Sequence, residues 1–473
     1  MRPSLSRFLA AALSILFLFG ISCPAQQAVS ADVDDFINAE MRRQRIPGLS
    51  LAVIKDGQVI LTKGYGLANV EHRVPVTPET VFQSGSMGKQ FTATAVMSLV
   101  EEGKLSLDDE IVKYFSDAPQ SWKDITVRHL LTHTSGLGDY PPDFDLRRDY
   151  PEDELLAVIK SVSLNFSAGE GWDYSNLGFV LLGILIRRVT GKFYGDYLAE
   201  RVFKPLGMTE ARVISESDIV PHRAAGYRLA GGELKNQEWV SPSMNTTADG
   251  SLYLTVLDMV KWDAALRTGR LLKPPTLEQM WRPVSIGGGR SRPYGFGWHT
   301  DVMRGHRVVH HGGAWQGFKS YIVRLPDDKL TIVFFVNLWQ ANEFRIARGL
   351  MAIFRPEFAL SAARPIEDRE PQVTALVKKV LRQFSTGTAD FKLFTAGARV
   401  AVFPQRATQI GDSLNSLSLA VAVISSSLDL VDRREEGDLR VYRYVLTDIG
   451  RTLFCTIKLT KDDKIADLQL RED

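Results

Sequence analysis

Ser86 and Lys89 stand three residues apart at the head of a long apolar stretch, in the segment Val81-Phe82-Gln83-Ser84-Gly85-Ser86-Met87-Gly88-Lys89-Gln90-Phe91. On a helix, an i, i+3 pair shares one face. A serine hydroxyl is a weak nucleophile until a base takes its proton, and a lysine withdrawn from water can be that base. A helix N-terminus also favours negative charge developing beside it. The spacing arises by chance often enough that it needs company. It is the chain's only Ser-x-x-Lys, and the chain's only Tyr-x-Asn, Tyr174-Ser175-Asn176, lies ahead of another apolar helical pattern. Further on, His311-Gly312-Gly313-Ala314 leads from one strand pattern towards the next, and glycine there lets a backbone approach a ligand closely.

The elements that must carry these groups follow from periodicity. Helical patterns fall at 32–45, 86–102, 152–162, 177–190, 194–202, 256–266 and near 344–354. The 86–102 pattern is apolar nearly all round, which marks a buried helix. Strand patterns fall at 49–54 and 59–64, around the hairpin signal Lys55-Asp56-Gly57, and again at 294–300, 307–311, 318–325 and 331–337. Strands at both ends with helices between imply an α+β fold. One antiparallel sheet, whose first and last strands pair, is flanked by helices and carries an inserted all-helical lobe. Pro356, Pro365 and Pro371 with many charges place a linker at 357–372. Beyond it, 373–473 combines a helical pattern at 373–384 with strand patterns at 417–430, 439–447, 452–458 and 465–470, a small α+β accessory domain.

In this order the three motifs resemble those of the penicillin-recognising serine hydrolases, in the class C β-lactamase-like branch. That branch includes β-lactamases, DD-carboxypeptidases, D-amino-acid peptidases and esterases, and Ser-x-x-Lys is a known signature of the group. The segments 128–137, 205–208 and 294–298 add to the resemblance, which spans about 32–354. It implies a β-lactamase/DD-peptidase-like domain over 31–356. Ser86 would be the nucleophile that forms an acyl-enzyme, Lys89 its base and Tyr174 the second acid/base. Asn176 would orient Lys89 and touch substrate amides. His311 and Gly313 would line the substrate, and the backbone N–H groups of Ser86 and Ala314 would form the oxyanion hole.

One departure bears on substrate. Many relatives carry Lys-Thr-Gly where this chain has His311-Gly312-Gly313. A neutral histidine lacks the fixed charge that holds a β-lactam carboxylate, although partial protonation would restore some of it. The expectation is therefore cleavage of esters or amides, D-amino-acid peptides included. The alternatives are a class C-type β-lactamase and a non-turnover sensor that binds β-lactams or muropeptides. No metal or organic cofactor is implied. His129 and His133 have the i, i+4 spacing of a metal pair but no accompanying HExxH or acid cluster.

The 473 residues are 45% hydrophobic and 24% charged, a globular composition. Lys and Arg number 57 against 55 Asp and Glu, and Arg2 and Arg7 account for the excess, so nothing points to nucleic acid. Residues 1–30 read as a secretory signal: Arg2 and Arg7, an apolar run at 8–21, then Ala25, Ala28 and Ala31. That run falls short of the ~18 residues a spanning helix needs. Export to the periplasm or medium is expected, with an uncleaved anchor as the alternative. Ile21-Ser22-Cys23 also resembles a lipoprotein box, with Gly20 where Leu is usual, and lipidation of Cys23 would tie the protein to a membrane. The only other cysteine is Cys455, so no intrachain disulfide remains once Cys23 is removed or lipidated. The expected partner is a small ester, amide or peptide substrate. Oligomeric state is open.

Overall fold

The computed structural model describes residues 24–359, 365–385, 390–398, 428–448 and 451–472. The signal segment up to Cys23 and most of the 417–430 strand pattern lie outside the described residues. The main sheet has seven antiparallel strands: β1 (Gly48–Lys55), β2 (Gln58–Asn69), β3 (Val74–Pro75), β4 (His299–Met303), β5 (His306–Trp315), β6 (Phe318–Leu325) and β7 (Leu330–Val336), in spatial order β4-β5-β6-β7-β1-β2-β3. The first long strand and the last pair directly, with Leu49 opposite Val336 and Val53 opposite Ile332. This closure is the one expected. Asp56 and Gly57 both have positive φ (52° and 77°), the geometry of a tight hairpin between right-twisted strands.

Period-two side chains explain why β7 reads as continuously apolar: both faces are covered. Ile332, Phe334 and Val336 join Leu49, Leu51 and Val53 on one face, under Val33 and Ile37 from α1 (Pro24–Gln44). Val333 and Phe335 face the other way, towards Met87 and Phe91 of the helical side. That side contains α2 (Lys89–Glu101), α3 (Val127–Leu131), α4 (Glu152–Ser161), α5 (Asn176–Thr190) and α6 (Val256–Thr268). α2 is buried nearly all round, as its composition demands. After β7, α7 (Glu343–Phe354) packs Ile346 and Leu350 beside α1.

The 294–298 segment departs from its strand pattern. It is a turn, with Gly297 at φ 73°, and β4 begins only at His299. Here aromatic content marked burial, not a strand: Tyr294 and Trp298 are both core residues. In the tail, α8 (Pro371–Ser385) sets Val373 and Val377 against a four-stranded antiparallel meander, β8 (Leu428–Glu436), β9 (Leu439–Asp448), β10 (Arg451–Leu459) and β11 (Ile465–Glu472). Cys455 is buried in that core, where desolvation pushes its thiol up to about 12.

Candidate active site

Ser86 lies on the 3-10 turn Gly85–Gly88 that feeds α2. Three backbones converge on this turn at distances that exclude side chains. A Cβ on Gly85, whose φ is 52°, would stand 2.4 Å from Ala314 N. One on Gly250 would meet Gly85 O at 2.1 Å and Ser86 N at 2.8 Å, and one on Gly313 would meet Ser84 O at 1.9 Å. Ser84 is clamped in turn: Ser320 Oγ donates to its carbonyl at 2.5 Å, and its own Oγ donates to Gly250 O at 2.7 Å. β4 pairs with β5 only as far as His310, so residues 311–315 run past its end along the Ser86 turn. At Gly313 the missing side chain has a reason the sequence did not show: it makes room for the Ser84 backbone.

Lys89, the first residue of α2, is fully buried. Its Nζ donates to Ser86 Oγ at 3.0 Å, to Asn176 Oδ1 at 2.7 Å and to the Asp249 carbonyl at 2.6 Å, all uncharged acceptors. It also lies over the rings of Tyr174 and Phe179, at 4.9 and 5.4 Å from their centroids. Asn176 opens α5, capped by Ser175 Oγ, which accepts from Gly178 N at 3.1 Å. Its amide is oriented by Asp139, which accepts from Asn176 Nδ2 at 2.8 Å and from Asn176 N at 3.2 Å. An ionised carboxylate only accepts, so the Asn176 oxygen must face Lys89. Burial pushes the Asp249 carboxyl above the usual carboxylate range, against the pull of nearby Lys89.

Tyr174 completes the cluster. Its hydroxyl is buried and has no hydrogen-bond partner among the described residues. Its ring lies 4.2 Å from that of His133 and 6.2 Å from that of His311, centroid to centroid. His311 is only 2% exposed, and desolvation, with the neighbouring His299 charge, holds its imidazole well below the ordinary range. Burial thus favours the neutral ring over the partial protonation that would restore a charge for a carboxylate.

The geometry thus gathers Ser86, Lys89, Tyr174, Asn176 and Ala314 around one point, with Gly313 and His311 packed behind it. Trp172 and Trp315 are half-buried beside the motifs, whereas Trp122 and Trp298 are core. Asp139, Asp249, Ser84, Ser320, His133 and Tyr294 were not recognised as site residues from sequence. His133 and Tyr294 sit in segments that carried the family resemblance, which was the available signal.

An antiparallel sheet with a helical lobe, and a serine–lysine pair at the junction, define a serine hydrolase of the penicillin-recognising class. The family model described as Beta-lactamase matches residues 33–353, and the chain belongs to that family. It is 28% identical over 310 residues to penicillin-binding protein 4* of Bacillus subtilis (strain 168), covering 62% of this chain and 68% of that one. It is also 28% identical over 418 residues to the D-aminopeptidase of Gluconobacter oxydans (strain 621H), covering 86% and 76%. Among solved structures, the D-amino acid amidase from Ochrobactrum anthropi SV3, complexed with L-phenylalanine amide, superposes with a TM-score of 0.62 at 26% identity. That match covers 70% of this chain and 100% of the amidase chain.

Proposed function

We propose that this chain is an exported serine hydrolase that cleaves ester or amide bonds through an acyl-enzyme on Ser86, with amides of D-amino acids or D-peptides as its preferred class. The observation that carries the reading is the hydrogen bonding of Lys89. A neutral amine has two hydrogens and one lone pair. Asn176 Oδ1 and the Asp249 carbonyl can only accept, so they take the two hydrogens. In the deprotonated form that acts as a base, the lone pair is therefore left for Ser86 Oγ, to which Nζ donates at 3.0 Å in this structure. Lys89 then takes the hydroxyl proton as Oγ bonds to the substrate carbonyl carbon. The carbonyl oxygen gains the negative charge, which the N–H groups of Ser86 and Ala314 would hold as the oxyanion hole. As the carbon–leaving-group bond breaks, the proton on Lys89 passes through the Tyr174 hydroxyl to the departing nitrogen or oxygen. Water deprotonated by the same groups attacks the acyl-enzyme and frees Ser86.

The electrostatics favour an amine-bearing acyl group. Asp139 is exposed beside Asn176 as a partner for an ammonium, and burial disfavours a charge on His311 that would hold a carboxylate. The names of the D-aminopeptidase and D-amino acid amidase relatives support the same substrate class. Export rests on Arg2, Arg7 and the apolar run at 8–21. N-terminal sequencing of the secreted fraction reads its cleavage site.

Intact mass after exposure to a fluorophosphonate, for wild type and Ser86→Ala, tests the nucleophile. Turnover of D-alanine p-nitroanilide, p-nitrophenyl acetate and nitrocefin on the same samples tests the class. One adduct, absent from the variant, with amide and ester turnover exceeding nitrocefin cleavage, is expected. An unlabelled wild type sinks the reading, and dominant nitrocefin cleavage moves it to β-lactamase.

A further inference from the structure

Side chains from three distant segments form one hydrogen-bonded chain beneath Tyr174. Ser175 N donates to His133 Nδ1 at 3.1 Å. His133 Nε2 lies 3.1 Å from Tyr294 Oη, which lies 3.1 Å from His311 Nε2, and His311 Nδ1 is 2.6 Å from Gly312 O. Backbone groups at the two ends leave one proton arrangement. An N–H must donate, so His133 accepts at Nδ1 and carries its hydrogen on Nε2. A carbonyl must accept, so His311 carries a hydrogen on Nδ1, and the neutral ring that burial favours accepts at Nε2. Tyr294 therefore accepts from His133 and donates to His311. The direction cannot reverse, because neither backbone end can change role.

The chain is shut away from water: His133 and Tyr294 are each 1% exposed and His311 is 2% exposed. His133 also holds a left-handed backbone (φ 59°), a conformation that persists only where its surroundings over-determine it. Its ring meets that of Tyr174 at 4.2 Å with 32° between the planes. One imidazole thus fixes the backbone on one side of Tyr174, supports its ring, and links it to the strand end that carries Ala314.

We infer that His133 and Tyr294 are positioning residues for acylation, setting the Tyr174–Asn176 turn in register with the His311–Ala314 strand end. The inference rests on the acyl-enzyme reading of Ser86. Neither residue touches the reacting atoms. They act by holding Tyr174 and Asn176 at the distances their neighbours require, and misplacement by about 1 Å can cost roughly 10²-fold in rate.

Tyr294→Phe removes one oxygen. His133→Asn keeps an acceptor at the Nδ1 position but cannot reach Tyr294, so both changes break the same bond. His133→Gln reaches as far as Nε2 and can still donate to Tyr294, but it leaves Ser175 N without an acceptor and so breaks the link at its other end. Steady-state ester hydrolysis, fluorophosphonate labelling rate and Tm are measured for wild type, these three variants and the Tyr294→Phe/His133→Asn double variant. Each of the two bond-breaking variants is expected to lose about 10- to 100-fold in kcat with KM within about twofold. The double variant should be no slower than the worse single, and His133→Gln, which breaks the link at Ser175, should lose rate as His133→Asn does. Losses that multiply in the double variant in step with falling Tm mean simple packing and overturn the inference. So do singles that run at the wild-type rate. A wild type that fails to label at Ser86 fails the acyl-enzyme reading instead, which separates the two.

Discussion

The α-carbon of Gly313 lies against the Ser84 carbonyl so closely that a Cβ there would stand 1.9 Å from the oxygen, with Met87 N at 2.9 Å. The third close atom is Ser320 Oγ at 2.5 Å, the others are backbone, and Ser84 is held by Ser320 and Gly250, so the turn cannot readily give way. Gly313→Ala must push the strand end off the Ser86 turn and carry Ala314 N with it. The expected cost is about 1–3 kcal/mol of stability from overpacking. Displacing one oxyanion donor adds a kcat loss of roughly 10²–10³-fold. Gly312→Ala is the control, because its Cβ would meet nothing nearer than the Tyr321 ring at 3.2 Å. Kinetics and thermal melts of the two variants decide the point; equal behaviour rules out this role for the Gly313 contact.

Lys89→Met keeps the length of the side chain and removes its nitrogen. Two opposing terms then act on stability. Losing a buried amine relieves desolvation worth several kcal/mol if that amine is charged. Leaving Asn176 Oδ1 and Asp249 O without a donor costs about 1–3 kcal/mol each. Their similar size predicts a folded protein with Tm near wild type. Acylation, deprived of its base, should fall by roughly 10²–10⁴-fold. Stopped-flow ester hydrolysis alongside calorimetry measures both. Retained acylation in a well-folded variant removes Lys89 from the mechanism.

Asp139 holds the Asn176 amide and, in the proposed function, meets the substrate's ammonium group. Asp139→Asn keeps an oxygen for Asn176 and discards the charge. Turnover of D-alanine p-nitroanilide should drop about tenfold more than turnover of p-nitrophenyl acetate, which has no amine. A difference of that size is about 1.4 kcal/mol, within the range of a charged hydrogen bond that is partly solvated. Parallel losses on both substrates leave Asp139 as a support for Asn176 alone.

What could be read beforehand depended on where the information lies along the chain. Ser86 and Lys89 are three residues apart, so helix geometry alone unites them. The pairing of the first and last strands of the main sheet was legible because Leu330–Val336, at its centre, must bury two faces at once. Asn176 meets Lys89 across 87 residues, and there only the family resemblance anticipated the meeting. His133 and Tyr294 are 161 residues apart, and neither periodicity nor composition links them. Gly313 was read for its freedom to approach a ligand, because a sequence shows that space is needed and not what fills it. Residues 294–298 looked like a strand because aromatic residues suit strands and buried turns alike.

The same burial that orders the site makes it sensitive to acid. Desolvation holds His133 and His311 well below the ordinary imidazole range. In the unfolded chain each titrates near 6.5. Above that pH both states bear the same protons, and the pair adds no slope. As pH falls below about 6.5, the unfolded chain takes up protons that the folded one excludes, so stability declines by up to about 1.4 kcal/mol per pH unit for each ring. The decline continues until the pH reaches the lowered folded values. His311→Asn removes one titrating ring while keeping a donor for Gly312 O. Urea midpoints between pH 8 and 5 should therefore fall more steeply for wild type than for this variant, by about one proton's slope. Raised carboxyls such as Asp249 and Glu343 act with the opposite sign but are common to both proteins, so the difference isolates the histidine. Coincident slopes would mean that His311 is charged or solvated in the native state, and the neutral assignment at the third motif would fall with them.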